Sequence, residues 1–172
     1  MHKDLISFFA NYFFIFPLLW AAYIMLELKV RRGEYIVRTV CAGITAVVFA
    51  AIGMKLYHHA RPYVLSHVQA LAINPHNNSF PSLHALLITA AALVVYLATK
   101  NWWYFIVLVA TDAVVAWARI LAHVHFLTDI IGGVLMSIVA VAIWFWVPLP
   151  DFLKQLSKTT GTWLDRKIPV RK

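Results

Sequence analysis

Residues 102–147 read WWYFIVLVATDAVVAWARILAHVHFLTDIIGGVLMSIVAVAIWFWV, and this stretch decides the fold. It contains two apolar runs, residues 102–121 and 126–147, with only a few residues between them. An α-helix of roughly 20 apolar residues spans the hydrocarbon core of a bilayer, which is about 30 Å thick. The stretch therefore predicts two antiparallel membrane-spanning helices joined by a tight turn.

Three further apolar runs have a similar length, at residues 5–26, 35–57 and 82–99. The whole chain is 62% hydrophobic and 13% charged, whereas soluble domains average about 45–50% and 25%. We therefore predict an all-α integral membrane bundle of about five helices, with an extramembrane loop at residues 58–81 between the second and third. The 172 residues suffice for a single domain, in which residues 149–172 form a basic cytoplasmic tail.

The basic residues predict the orientation. In a soluble protein the net charge of +8 would suggest a nucleic-acid partner, but here we expect none, because lysine and arginine collect on the cytoplasmic side of membrane proteins. If residues 58–81 face outside, eleven basic residues lie inside and only Lys3, Lys55, Arg61 and Arg119 lie outside. The expected location is a cytoplasmic (inner) membrane, with several passes through the bilayer.

Polar side chains converge on the outer end of this bundle from three separate segments. Ionisable groups at membrane depth are costly, and so they usually pair or serve a function. The candidates are Lys55, Arg61, Ser82, His84, Arg119, His125 and Asp129.

Their spacing suggests phosphate chemistry. His125 and Asp129 are four residues apart and so share one helix face, where Asp129 can accept a hydrogen bond from one imidazole nitrogen and leave the other free to attack. Pro81 suits the first turn of a helix, and the free N–H groups there, with the Ser82 hydroxyl, make an anion site.

The remaining candidates add positive charge and a proton donor. The guanidinium groups of Arg61 and Arg119 suit bidentate phosphate contacts, and Lys55 adds a point charge. His84 is then available as a general acid toward a leaving oxygen.

These residues resemble the type 2 phosphatidic acid phosphatase superfamily of membrane lipid phosphatases. That family has the motifs K-x6-R-P, P-S-G-H and S-R-x5-H-x3-D. This chain has Lys55-x5-Arg61-Pro62, then Pro81-Ser82-Leu83-His84, then Ala118-Arg119-x5-His125-x3-Asp129. The order of the motifs is the same, and the spacing of the third motif matches fully. Three departures remain: one residue is missing between Lys55 and Arg61, Leu83 replaces the glycine of the second motif, and Ala118 replaces the serine of the third.

The resemblance implies roles for the candidates. By it, His125 is the nucleophile that takes the phosphoryl group, Asp129 orients it, and His84 protonates the leaving group. Lys55, Arg61, Ser82 and Arg119 hold the phosphate, and neither a metal nor another cofactor is needed.

Other polar residues allow further interpretations. His58, His59, His67 and His76 lie in the loop, but their spacing fits no standard zinc site, and we interpret them as solvated side chains. Asp112, in the middle of the fourth span, either pairs with a polar neighbour or binds a proton.

The substrate is less defined by the sequence. The small size and the stretch Asn77-Asn78-Ser79-Phe80-Pro81-Ser82 resemble small bacterial undecaprenyl-diphosphate phosphatases, which implies hydrolysis of that lipid diphosphate. Phosphatidylglycerol phosphate, phosphatidic acid and lipid A phosphates are alternative substrates, and a lipid phosphotransferase is an alternative reaction. A small membrane transporter and a catalytically inactive lipid-binding scaffold are the alternatives from other classes.

Overall fold

The computed structural model describes residues 2–28, 31–73 and 78–168. Within them the chain forms helices and no β-strand, with one isolated bridge between Ala60 and Asn78. The predicted all-α class is confirmed. The helices are α1 (His2–Asn11), α2 (Ile15–Leu26), α3 (Arg32–Leu56), α4 (Pro62–Leu65), α5 (Leu83–Thr99), α6 (Trp102–Leu121), α7 (Leu127–Trp146) and α8 (Asp151–Lys167).

The helices form a membrane bundle. Among the described residues, four stretches are long and apolar enough to span a bilayer: α1 with α2, α3, α6 and α7, while α5 is a shorter apolar helix. Large apolar side chains such as Leu19, Trp103 and Leu135 are more than half exposed on its outer surface. That surface suits lipid, in which exposed apolar groups carry no penalty.

The first predicted span is broken, which corrects the expectation of one helix over residues 5–26. A turn at residues 12–14 separates α1 from α2, and Pro17 lies in the first turn of α2. A proline cannot donate to the carbonyl four residues earlier and its ring clashes with it. The break at this point allows Pro17 to occupy a helix start.

Helix α5 lies at the centre of the bundle and packs against α2, α3, α6 and α7. Small residues permit close helix contacts in membranes, and α3 buries Ala42, Ala46 and Ala50 at a spacing of four. Gly133 of α7 lies against α5 so closely that a Cβ there would be 2.6 Å from the Ser82 carbonyl oxygen.

Short connections place the polar segments at one end. Residues 100–101 join α5 to α6, and residues 122–126 join α6 to α7. The end of α3, the start of α5, the end of α6 and the start of α7 therefore lie together. The loop between α3 and α5 contains the short helix α4. Residues 74–77 of this loop lie outside the described part of the chain.

The basic tail forms helix α8 at the opposite end, against the start of α3. Leu149 and Leu153 pack with Val37, and Arg32 forms an ion pair with Asp165 at 2.6 Å. Residues 151–167 of the segment predicted as a tail are thus a packed amphipathic helix.

Candidate active site

His125 occupies the turn between α6 and α7 and is almost fully buried. Its Nε2 atom lies 3.2 Å from Nη2 of Arg119, six residues earlier in the chain. Its Nδ1 atom lies 3.5 Å from Oδ2 of Asp129, within ion-pair range but longer than a good hydrogen bond. The two side chains are therefore in contact as predicted, but Nδ1 makes no hydrogen bond within the described part of the chain, and the Nε2 side faces a guanidinium.

Asp129 is fully buried and is held by several donors. The Phe126 backbone N–H donates to its Oδ2 at 2.8 Å, which also caps the start of α7. The Nδ1 atom of His59 lies 3.0 Å from its Oδ1. A carboxylate buried with this many partners is oriented rigidly.

His59 is the site residue that sequence reasoning missed, and its interpretation as a solvated side chain is wrong. Its ring stacks on Phe126 with centroids 4.6 Å apart, and its backbone N–H donates to Asn78 Oδ1 at 3.0 Å. Its position two residues before Arg61 was the available signal. His58 and His67 are exposed, and His76 lies outside the described residues.

Two arginines lie buried beside this pair. Arg61 Nη1 donates to the Val124 carbonyl at 2.7 Å, and Arg119 Nη1 donates to the Ala10 carbonyl at 3.0 Å. The second bond makes α1 part of the site, a role that the sequence did not indicate. The two guanidinium groups are near enough to act on each other electrostatically, which concentrates positive charge at this end of the bundle.

The start of α5 faces the same place. Ser82 is the N-cap residue; it is fully buried, and its hydroxyl has no hydrogen-bond partner within the described part of the chain. The first N–H groups of a helix have no acceptor within it and attract anions. Pro81 precedes the N-cap after a cis Phe80–Pro81 bond, so the prediction that it lies in the first helical turn is wrong.

His84 lies in the first turn of α5 and is partly buried. Its ring makes an edge contact with Phe14, with centroids 4.4 Å apart. The guanidinium groups of Arg119 and Arg61 are near enough to act on it electrostatically, and the His125 ring is a further neighbour. The start of α5 thus brings a second imidazole to the His125 group.

Lys55 is the outlying candidate. It lies in the last turn of α3 with an exposed side chain. The described contacts do not join it to the other six predicted residues. The structure therefore assembles six of the seven predicted side chains and leaves Lys55 at the rim.

Asp112 has a partner two helical turns below the site. Thr89 Oγ1 of α5 donates to Asp112 Oδ2 at 2.6 Å. Pairing with a polar neighbour, one of the two interpretations of Asp112, is thus present, while its Oδ1 is buried with no partner among the described residues.

The electrostatic environment of His125 favours the neutral form of its imidazole ring. Burial lowers the pKa of His125 from its ordinary 6.5, Asp129 opposes this, and Arg119 and Arg61 reinforce it. The ring is therefore uncharged near pH 7, with a lone pair on one nitrogen.

Among residues 2–28, 31–73 and 78–168 no cluster of histidine, cysteine and carboxylate side chains could hold a metal ion.

A sequence model of the PAP2 superfamily matches residues 35–152, more than half of the chain and all seven candidates. The chain belongs to this superfamily. Membership confirms the resemblance of the three motifs and, with the bundle, identifies a multi-pass membrane protein of a phosphatase family.

Two curated relatives are similar at low identity. "Bacitracin transport permease protein BcrC" of Bacillus licheniformis is 26% identical over 91% of this chain and 77% of its own length. "Putative undecaprenyl-diphosphatase YbjG" of Escherichia coli (strain K12) is 28% identical over 80% of this chain and 65% of its own length. No solved structure matches this PAP2 chain. Together the family and the relatives support a lipid phosphatase.

Proposed function

We propose that this protein hydrolyses undecaprenyl diphosphate to undecaprenyl phosphate and inorganic phosphate through a phosphohistidine on His125. The observation that carries the proposal is the buried His125 ring, with Nε2 3.2 Å from an Arg119 nitrogen and Nδ1 beside Asp129. A neutral imidazole with one oriented nitrogen is a nucleophile, and an adjacent guanidinium attracts the phosphoryl group that it attacks.

In the first step, the Nε2 lone pair attacks the terminal phosphorus. The bond from that phosphorus to the bridging oxygen breaks, and His84 gives its proton to the departing undecaprenyl phosphate. Asp129 stabilises the positive charge that develops on the ring, while His59 and the Phe126 N–H hold Asp129 in place.

In the second step, water attacks the phosphohistidine. His84 takes a proton from that water, the P–N bond breaks, and inorganic phosphate leaves with His125 neutral again. Arg61, Arg119, the Ser82 hydroxyl and the first N–H groups of α5 bind the phosphoryl oxygens in both steps. Phosphoryl transfer chiefly needs positioning and positive charge, so these groups supply its requirements without a metal. Lys55 is exposed and makes no described contact with these residues, so we assign it no step in this mechanism.

The choice of lipid rests on the relatives and on the loop sequence. One relative is named as an undecaprenyl-diphosphatase, and residues 78–82 of this chain lie directly at the site, where Asn78 contacts His59. Phosphatidic acid, phosphatidylglycerol phosphate and lipid A phosphates are phosphomonoesters, whose terminal phosphoryl group the same histidine could attack, and they remain the alternative substrates. If an acceptor hydroxyl replaced water in the second step, the same phosphohistidine would transfer its phosphoryl group to that hydroxyl. The protein would then be a lipid phosphotransferase.

The proposed location is a bacterial cytoplasmic membrane, with residues 1–172 acting as one domain and the site on the outer side. A site on the outer side would suit a lipid whose diphosphate is exposed in that leaflet. The basic residues away from the site, including Arg31, Arg32, Arg38, Lys154 and Lys158, lie at the opposite end, as expected for the cytoplasmic side.

Transport is the second candidate function, because one relative is named as a transport permease. A proton or ion relay would need ionisable groups along the bundle. Asp112 is bonded to Thr89, and the candidate site residues lie together at one end of the bundle. A transporter would produce flux in liposomes without release of phosphate.

The deciding experiment measures inorganic phosphate released by purified protein in excess EDTA, from undecaprenyl diphosphate, phosphatidic acid and phosphatidylglycerol phosphate. We expect fastest release from the diphosphate. We also expect His125→Ala to abolish turnover while lipid binding persists. The control variant His58→Ala, in the exposed loop, should retain turnover. Substantial activity in His125→Ala would exclude the nucleophile assignment, and activity restored only by added metal would exclude the metal-free mechanism.

A further inference from the structure

Helix α8 leaves an apolar stripe uncovered along its length. Successive residues of an α-helix are about 100° apart around the axis, so Phe152, Leu156 and Trp163 fall within about 40° of one another. All three side chains are at least half exposed, and we call them the apolar stripe. The buried Leu153 and Leu164 lie about 90° away on one side. An exposed stripe of this kind marks an interaction surface.

The side of α8 opposite the apolar stripe is polar. Lys154, Lys158 and Asp165 lie about 140–180° from the centre of the stripe. With the start of α3 they line a basic pocket, whose cations are Arg31, Arg32, Arg38, Lys154 and Lys158. Charged side chains keep their charged ends in water. The polar side therefore faces away from the bilayer, which turns the stripe toward it.

The contacts between α8 and α3 indicate how α8 is inclined. Leu153 packs with Val37 near the start of α8, and Asp165 pairs with Arg32 near its end. Between these two contacts α8 advances about 18 Å along its axis, whereas α3 advances only about 8 Å. Two parallel helices would advance equally, so α8 crosses α3 at a steep angle. Because α3 is a candidate membrane span, α8 lies closer to the membrane plane than to the bilayer normal.

The level of these contacts along α3 indicates which way the stripe points. The polar side of α8 lines the pocket with Arg32 and Glu34 at the start of α3. The buried Leu153 packs instead with Val37 and Cys41, about one to three turns further into the span. The direction around α8 from the polar side to Leu153 therefore leads into the bilayer, and the apolar stripe comes next.

The connection to α7 places the start of α8 at the surface of the bilayer. Helix α7 ends at Trp146 and α8 begins at Asp151, so only a few residues separate α8 from the end of a candidate span. Trp146 and Val147 are more than half exposed, and tryptophan is typical of the headgroup level. The apolar stripe thus continues the lipid-exposed surface of the bundle.

Cationic side chains flank the stripe on both sides. Arg166 lies about 60° from its centre in one direction, and Lys167 lies about 40° from it in the other. Both side chains are exposed. Long cationic side chains beside a buried apolar surface extend to the headgroup level. This charge pattern favours a phospholipid surface as the partner of the stripe.

We propose that α8 is an interfacial helix, whose apolar stripe inserts into the phospholipid leaflet at the end of the bundle opposite the candidate active site. The stripe lies among the upper parts of the acyl chains. Arg166 and Lys167 contact headgroup phosphates, and the polar side with the basic pocket faces water. This assignment rests on the membrane bundle and does not depend on the proposed reaction.

The test measures the accessibility of nitroxide spin labels on single cysteines, in the whole chain with Cys41→Ala, reconstituted into phosphatidylcholine–phosphatidylglycerol vesicles. Molecular oxygen concentrates in the acyl region, whereas a nickel chelate stays in water. An interfacial helix buries its apolar side about 5–10 Å deep. We therefore expect labels at Phe152→Cys and Leu156→Cys to collide preferentially with oxygen.

Each of these positions has a matched control two residues later, about 160° away around the helix. Labels at Lys154→Cys and Lys158→Cys should have a ratio of oxygen to chelate collisions at least about fivefold lower than labels at the stripe, because they face water. Equal or reversed ratios within the pairs would overturn the proposal. Stripe labels that collide with neither reagent would also overturn it, because a protein would then cover the stripe.

Discussion

At the scale of single residues, Asp129 is where the site is organised. One of its oxygens contacts His59 and the other faces Phe126 N–H and His125. A buried carboxylate is stable only with such partners, and the loss of one partner leaves an uncompensated charge. The two histidines therefore depend on each other through Asp129, although 66 residues separate them in the chain.

The first prediction concerns His59. His59→Phe keeps a ring to stack on Phe126 but removes the donor to Asp129. Loss of one hydrogen bond to a charged group is worth about 1.5–3 kcal/mol, so we expect kcat to fall about tenfold or more with KM nearly unchanged. Phosphate-release kinetics on undecaprenyl diphosphate measure both constants.

The neighbouring exposed residue provides the control, since His58→Phe should leave both constants within about twofold. His59→Asn restores a side-chain N–H near Nδ1 and should recover part of kcat. A rise in KM alone, or equal losses in the two Phe variants, would contradict the positioning role of His59.

At the scale of helices, the contact between α5 and α7 positions the site. Gly133 lies under the start of α5, and Ser137 Oγ donates to the Leu86 carbonyl at 2.5 Å one turn further on. The Ser82 backbone N–H donates to the Asp129 carbonyl at 3.0 Å. The first turn of α5, with Ser82 and His84, is thereby held against the turn that carries His125.

The second prediction is that Gly133→Ala damages both stability and activity. The added Cβ would meet backbone atoms, at 2.6 Å from the Ser82 oxygen and 3.2 Å from the Leu86 nitrogen. Overpacking of this kind costs about 1–3 kcal/mol, and the displaced α5 moves Ser82 and His84. We expect a lower unfolding temperature in detergent and at least a tenfold loss of phosphate release.

Gly43 offers a matched control in another helix, because a Cβ there meets no atom within 4 Å. Gly43→Ala should unfold at or above the parental temperature, since alanine favours a helix over glycine. A Gly133→Ala variant with parental activity and stability would show that α5 tolerates displacement.

At the scale of the whole molecule, the two ends of the bundle differ in charge and in chemistry. The site end carries Arg61 and Arg119 beside the histidines, and the opposite end carries the basic pocket. A membrane protein places most of its basic residues on the cytoplasmic side. From this asymmetry we propose that the candidate site faces outward.

The third prediction tests this orientation with single cysteines in a Cys41→Ala background. Ser66→Cys lies in the exposed loop at the site end, and Gln155→Cys lies on the exposed side of α8. A membrane-impermeant maleimide applied to intact spheroplasts should label position 66 at once and position 155 only after permeabilisation. The reverse pattern would place the site in the cytoplasm.

Much of this architecture was predictable because it is local in the sequence. Apolar runs of about 20 residues predict spanning helices. The spacing of four also predicted that His125 and Asp129 lie close together, although His125 precedes the N-cap of α7 and so does not share a helical face with Asp129. The helix class, the order of the motifs and the family resemblance were all contained in residues that are close in the chain. The break before Pro17 was also local, but the overall apolarity of residues 5–26 concealed it.

Only the tertiary structure decided the features that join distant segments. The sequence determined that Arg119, His125 and Asp129 occur together, but not that His59 contacts Asp129 across 70 residues or that Arg119 donates to Ala10 across 109. Nor did it determine that the basic tail packs on α3 through Arg32 and Asp165. Such contacts depend on how helices pack against one another, and no spacing along a single segment encodes that arrangement.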